Sequence, residues 1–318
     1  MSYWKCIFLL LFIVFLNAGC RQGRDYAGEE IKSPQPSGLQ LEKTISDKVL
    51  RLKISRPCGV AVDINDNLYL VDSGNDRIIK FDSNFNPLRD AGGYGFTEGL
   101  LSSPSYIAFD NNLNLYISET GNQRISIFDA RLNYVDKIEL IDTDDPLKYG
   151  RPSGIAVNRY GELLVADLDK SRLVLFNNVG AFDKFIADVE TSSVFVLKPG
   201  GMTFGRNGDI LLCDGGNALV RIFDEIGTHV DNIGRDYLTK PSGVTVDAQG
   251  RIWVADSGDN SIYCFDYRGG LLYSSAATGP TGGVNLNKPL DLAVTSNNRL
   301  IVSDSGNDRV LVFKIIYP

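Results

Sequence analysis

The hexamer DSGNDR occurs at residues 72–77 and again at residues 304–309. Two carboxylates, an amide, a hydroxyl and a guanidinium in six residues could bind an ion, and a calcium loop is the first chemistry to test. That loop needs oxygen ligands at its first, third and fifth positions and glycine at the sixth. Gly74 holds the third position and Arg77 the sixth, so no calcium loop is expected. A turn suits these residues better. An Asp side chain accepts backbone N–H bonds within its own turn, Gly permits a left-handed conformation, and the Arg is expected to reach a carboxylate or carbonyl of the next blade.

Other chemistry is thinly represented. The chain has one histidine, His229, which falls in an expected outer strand and reads as a partly exposed surface residue. One histidine cannot build a multi-histidine zinc site, and no G-x-S-x-G nucleophile elbow occurs. A metal site made of Asp, Asn and Glu stays open, though no spacing points to one. No cofactor is expected. Beyond Cys6 and Cys20, the cysteines are Cys58, Cys213 and Cys264. An odd number cannot all pair within one chain. A bridge between Cys213 and Cys264 stays open beside the simpler account of small buried thiols.

The elements that position these residues form a repeat. Prolines at 57, 104, 152, 199, 241 and 289 each begin a short apolar run such as GVAVD or GIAVN. A second run follows, closed by an acid: Asp72, Glu119, Asp167, Asp214, Asp256 and Asp304. Nine residues after each acid stands a phenylalanine, at 81, 128, 176, 223, 265 and 313. The runs are rich in Val, Ile, Leu, Tyr and Phe, with Asp, Asn and Gly clusters between them, which predicts strands. A fourth run appears in several units, as in YVDKIEL. Six units of four antiparallel strands predict an all-β, six-bladed β-propeller. The sixth unit lacks an outer strand, and ISDKVLRLKI (residues 45–54) is expected to supply it, closing the ring and leaving no open edge. Asp72, Arg77, Glu119, Arg124, Asp167, Arg172, Asp214, Asp256, Asp304 and Arg309 are then structural turn residues. The arginine position holds Leu219 and Ser261 in the fourth and fifth units.

The pattern P-x-G-[VI]-A-V-D followed by L-Y-[VL]-[AV]-D-S-G-N-x-R-[IV]-x-x-F-D resembles the NHL repeat over about residues 45–318. That resemblance implies a six-bladed propeller. It leaves function open among protein- or RNA-binding platforms, sensor domains and a peptide-amidating lyase, since a fold does not define an activity.

Two features of one propeller face are candidates for binding. Arg56, Arg151, Lys198, Lys240 and Lys288 precede five of the six prolines, with Ser103 in the remaining slot. They are expected beside the turns, near the channel mouth, free to bind an anion or else neutralised by the turn acids as pairs. The longest connections lie on the same face, where binding residues concentrate. They contribute Tyr94, Phe96, Tyr149, Arg235 and Tyr237, with ordinary loop packing as the competing account.

At the N-terminus a basic head precedes the apolar run IFLLLFIVFL and then NAGC. Ten apolar residues are too few to span a bilayer and suit a secretory signal. The ending resembles a bacterial lipoprotein signal with Cys20 as the lipid-attachment site, although Asn17 stands where that signal carries Leu. Residues 1–20 are then a signal peptide and residues 21–44 a flexible tether, polar and containing two prolines up to Gly38. The net charge of −7 argues against a nucleic-acid partner. The expectation is a monomeric binding or scaffolding module with an unnamed protein or small-ligand partner. It would be lipid-anchored in a bacterial envelope, with the outer membrane or cell surface favoured over a secreted or periplasmic form. The alternative is a metal-dependent lactonase- or lyase-like enzyme with its site at the channel mouth.

Overall fold

Each unit folds as a four-stranded antiparallel sheet whose inner strand begins at the repeat's proline. The structure, a computed structural model, describes residues 34–140, 149–187, 194–278 and 283–318. The signal-like segment, Cys20 and the tether to residue 33 lie outside the described residues, as do parts of three long connections.

The inner strands run Pro57–Val62, Pro104–Phe109, Pro152–Val157, Pro199–Phe204, Pro241–Val246 and Pro289–Val294. They pack in that order around an axis, and the sixth returns against the first to close the ring. Proline is tolerated at these positions because it opens the strand and lies on the sheet's free inner edge. The second strands, such as Leu68–Asp72 and Ile252–Asp256, are buried throughout, as their nearly unbroken apolar composition requires. The outer strands, such as Pro87–Gly92, are half exposed.

Six apolar clusters fill the six spaces between blades. The repeated phenylalanine supplies one buried ring to each: Phe81 packs between blades six and one, Phe128 between one and two, and so on around the ring. This explains the fixed offset between turn acid and phenylalanine. In each blade the two residues lie on the same third-strand hairpin, one at its turn and one at its far end.

The ring closes through an N-terminal strand, as the repeat count required, but not through the residues expected. Gly38–Ile45 is the outer strand of blade six and pairs antiparallel with the last strand, from Gly38 opposite Ile316 to Ile45 opposite Val310. Residues 48–53 form instead a small hairpin, Lys48–Val49 with Leu52–Lys53, whose turn places Leu50 at φ 58°. The physical reason is alternation. In GLQLEKTI the residues Leu39, Leu41 and Ile45 face blade five or blade one, and Glu42 pairs outward with Arg299. Residues 38–44 therefore belong to the propeller rather than to a tether.

Two faces result. The entry face, where inner strands begin, carries the outer-to-inner connections and the turns between second and third strands. The exit face carries the turns that follow the inner and third strands.

Candidate functional site

The entry-face turns are built by the same bond six times. The turn acid accepts the backbone N–H of the residue seventeen positions earlier, two before the proline. Ser55 N donates to Asp72 at 2.8 Å, Ser102 N to Glu119 at 2.8 Å, Gly150 N to Asp167 at 3.0 Å, Leu197 N to Asp214 at 2.9 Å, Thr239 N to Asp256 at 2.6 Å and Asn287 N to Asp304 at 2.7 Å. Each acid thereby fastens the connection that leads into its own blade. The guanidinium does the same from the other side. Arg77 Nε donates to Asp72 at 2.7 Å and its NH2 group to Leu52 O at 3.0 Å, and Arg124 reaches Glu119 and Leu100 O in the same way. The arginine thus binds its own blade's connection, not the next blade.

The next blade is reached by the hexamer's fifth residue. Asp76 accepts Ser103 N of blade two at 2.7 Å, and Asp308 accepts Arg56 N of blade one at 2.7 Å across the ring closure. Asn260 ties blade five to Lys288 N of blade six at 2.7 Å. These residues, not the glycine, adopt the left-handed conformation: Asp76 has φ 50°, Asp308 52° and Asn260 61°. Gly74 is needed for space, since a Cβ there would stand 2.4 Å from Ser55 Oγ. In blade four, where Leu219 fills the arginine slot, Arg221 reaches Asp214 from two residues further along the same strand face at 2.6 Å. In blade five Asp256 is held by amides and a hydroxyl, from Thr239, Lys240 and Gly258.

Because the turn acids are engaged this way, they do not neutralise the cations before the prolines. Arg56, Lys198, Lys240 and Lys288 are exposed and form no ion pair among the described residues. Arg151 is the exception: it bonds Asp169 of its own blade at 2.7 Å, which raises the guanidinium's pKa and lowers the carboxyl's. On the same face Tyr94 and Phe96 stand 68% and 65% exposed, in edge contact at 5.6 Å, and Tyr237 is 46% exposed. Arg235 is exposed nearby in sequence. Tyr149 does not join them; it packs against Phe176 and Phe182 between blades two and three. Phe195, Leu50 and Leu52 are exposed on entry-face connections and were not singled out from sequence, where isolated apolar residues in a connection carry no periodic signal.

A second site, unforeseen from sequence, lies on the axis. The third residue of the inner strand is Gly59, Gly154, Gly201 and Gly243 in four blades, but Tyr106 in blade two and Asp291 in blade six. Glycine is required where blades touch at this level, since a Cβ on Gly154 would meet Gly200 O at 1.9 Å. Tyr106 crosses the axis and donates its hydroxyl to Ser242 O on the opposite blade at 2.9 Å. Beyond this layer, toward the exit face, lies a cavity of about 290 Å³. Its walls are later inner-strand residues, among them Val62, Phe109, Val157, Phe204 and Val294, and among the described residues Asp291 is its one ionisable carboxyl. Burial pushes the Asp291 carboxyl up to about 7, against the opposing effect of the Val60 and Leu292 amides. The Val60 amide donates to it at 3.0 Å. The signal available in the sequence was the break in the P-x-G pattern at these two positions.

Of the other chemical candidates, His229 sits on the outer strand of blade four, half buried, 3.0 Å from Asn232 Oδ1. Cys58, Cys213 and Cys264 are free thiols. Among the described residues no three His, Cys, Asp or Glu side chains cluster closely enough to hold a metal ion.

The chain is a six-bladed β-propeller, and its last two blades, at residues 238–265 and 286–313, match the NHL repeat family. No curated protein matches the chain in sequence. Solved structures similar in fold include a streptogramin B lyase, at 14% identity and TM-score 0.63 over 88% of each chain. The virginiamycin B lyase of Staphylococcus aureus is 11% identical with TM-score 0.58, covering 87% of this chain and 100% of its own. A gluconolactonase of Xanthomonas campestris is 14% identical with TM-score 0.63, covering 89% and 97%.

Proposed function

We propose that the protein is an envelope-anchored binding module that engages a partner through its entry face. The observation that carries this reading is the company there of exposed aromatics and of cations that form no ion pair among the described residues: Tyr94, Phe96 and Tyr237 with Arg56, Lys198, Lys240 and Lys288. Aromatic and arginine side chains are what protein interfaces concentrate, and cations without internal partners favour an acidic or anionic partner surface. The connections holding these groups are fastened by buried carboxylates, so the surface is preorganised. Photoreactive residues placed at Tyr94 and Tyr237, compared with exit-face Tyr160 and Ile226, test it in living cells. One discrete adduct from the entry face alone is expected; equal adducts from both faces, or none, would refute the reading.

The anchor rests on the lipoprotein-like signal ending at Cys20. Cys20→Ser should release the protein from membranes, checked by fractionation, and continued attachment would overturn the assignment. The outer strand of blade six, Gly38–Ile45, starts at the exit face and runs toward the entry face. A metal-dependent lactonase- or lyase-like activity is the alternative, supported by likeness of fold to a streptogramin B lyase and a gluconolactonase. Stoichiometric metal in the purified protein, lost on mutating carboxylates, would favour it.

A further inference from the structure

We infer that the axial cavity on the exit face is a binding site for a small organic cation, an aliphatic ammonium ion, with Asp291 as its counter-charge. The geometry is that of a blind pocket. Tyr106 bolts one end by bonding across the axis to Ser242 O. The other end is lined by apolar residues such as Val62, Phe109, Phe204 and Val294. The volume, about 290 Å³, is at the lower limit for small-molecule sites. A single carboxylate in such a pocket specifies a ligand with one positive charge and a short apolar body, since burying the charge unpaired is costly. Among the described residues no lysine or arginine lines the cavity to serve as an internal partner.

The site is independent of the entry-face reading, because it lies on the opposite side of the Tyr106 layer. The ionisable groups facing Asp291 are Tyr106, Cys58 and Cys213. Burial raises all three, Cys58 to about 11, so all stay neutral near pH 7 and Asp291 alone titrates there. An ammonium ion binds the ionised carboxylate, so its affinity should rise about tenfold from pH 6 to pH 8 as the ionised fraction grows around a value of about 7.

The experiment is titration calorimetry of the full-length protein in detergent with methyl-, propyl- and butylammonium at both pH values. Saturable one-to-one binding that strengthens with pH and is lost in Asp291→Asn is expected. A second variant, Thr203→Met, narrows the cavity and leaves the carboxylate, and should weaken butylammonium more than methylammonium. Absence of binding by the native protein, equal affinity in folded Asp291→Asn, indifference to pH, or equal effects of Thr203→Met on both ions would each overturn the inference.

Discussion

Asp291 shows how one side chain changes the character of a repeated position. Its five counterparts are four glycines and a tyrosine, so the carboxyl occupies space that the other blades spend on contact between backbones. Burial raises its pKa from 3.8 to about 7. The sign of the linkage follows: the folded state holds this proton more tightly than the unfolded chain. The folded state therefore has the full benefit below about pH 4 and loses it as pH rises toward 7. The loss from this group is roughly 4 kcal/mol. Asp291→Asn should remove that dependence, so that the variant is the more stable protein at pH 8 while differing little at pH 4. Urea denaturation at the two pH values measures it, and parallel pH profiles for the two proteins would contradict the assignment. Neither Asp291 nor Tyr106 was legible as a site in sequence. Both look like substitutions inside an apolar strand, and only the ring brings them to one layer.

At the scale of elements, the repeat was readable because its punctuation is chemical. Each proline opens an inner strand, each acid fastens a connection, and each phenylalanine fills a gap between blades. The closing strand was misplaced for an equally physical reason. An outer strand buries one face only and can consist of GLQLEKTI, which is as polar as a tether, whereas residues 45–54 alternate more evenly yet turn back on themselves. The strand's contribution is testable. A chain beginning at Ser46 leaves the edge of Arg309–Ile316 unpaired, and exposed edges recruit other chains. Self-association by light scattering and a lowered melting temperature are expected, while a chain beginning at Gly38 should remain monomeric. A stable monomer from the shorter chain would show that the ring does not depend on this closure.

For the whole molecule, six interfaces of similar composition around a closed ring imply that no blade is terminal. An open array of repeats frays from its ends; a ring whose first and last blades share a cluster, here containing Val60, Phe81, Ile301 and Val312, has none. Phe81→Ala and Phe223→Ala, in interfaces on different sides of the ring, should therefore each lower one cooperative transition, by about 3–5 kcal/mol. Coincident unfolding by far- and near-ultraviolet circular dichroism checks this, and a split transition in either variant would count against it. The entry face was legible from the sequence in its cations and in most of its aromatics. The partners of the cations were not, because pairing depends on which groups the turns have already consumed. Asp72 and its counterparts are satisfied by amides and by guanidinium groups of their own blades.

The closing strand has a mechanical consequence. Seven residue pairs join it to Arg309–Ile316, beginning with Gly38 opposite Ile316. A force applied along this strand at Gly38 loads the hydrogen bonds between the two strands in shear, together, rather than parting them one after another. For a force in that direction the seam of the ring is held by all seven pairs at once.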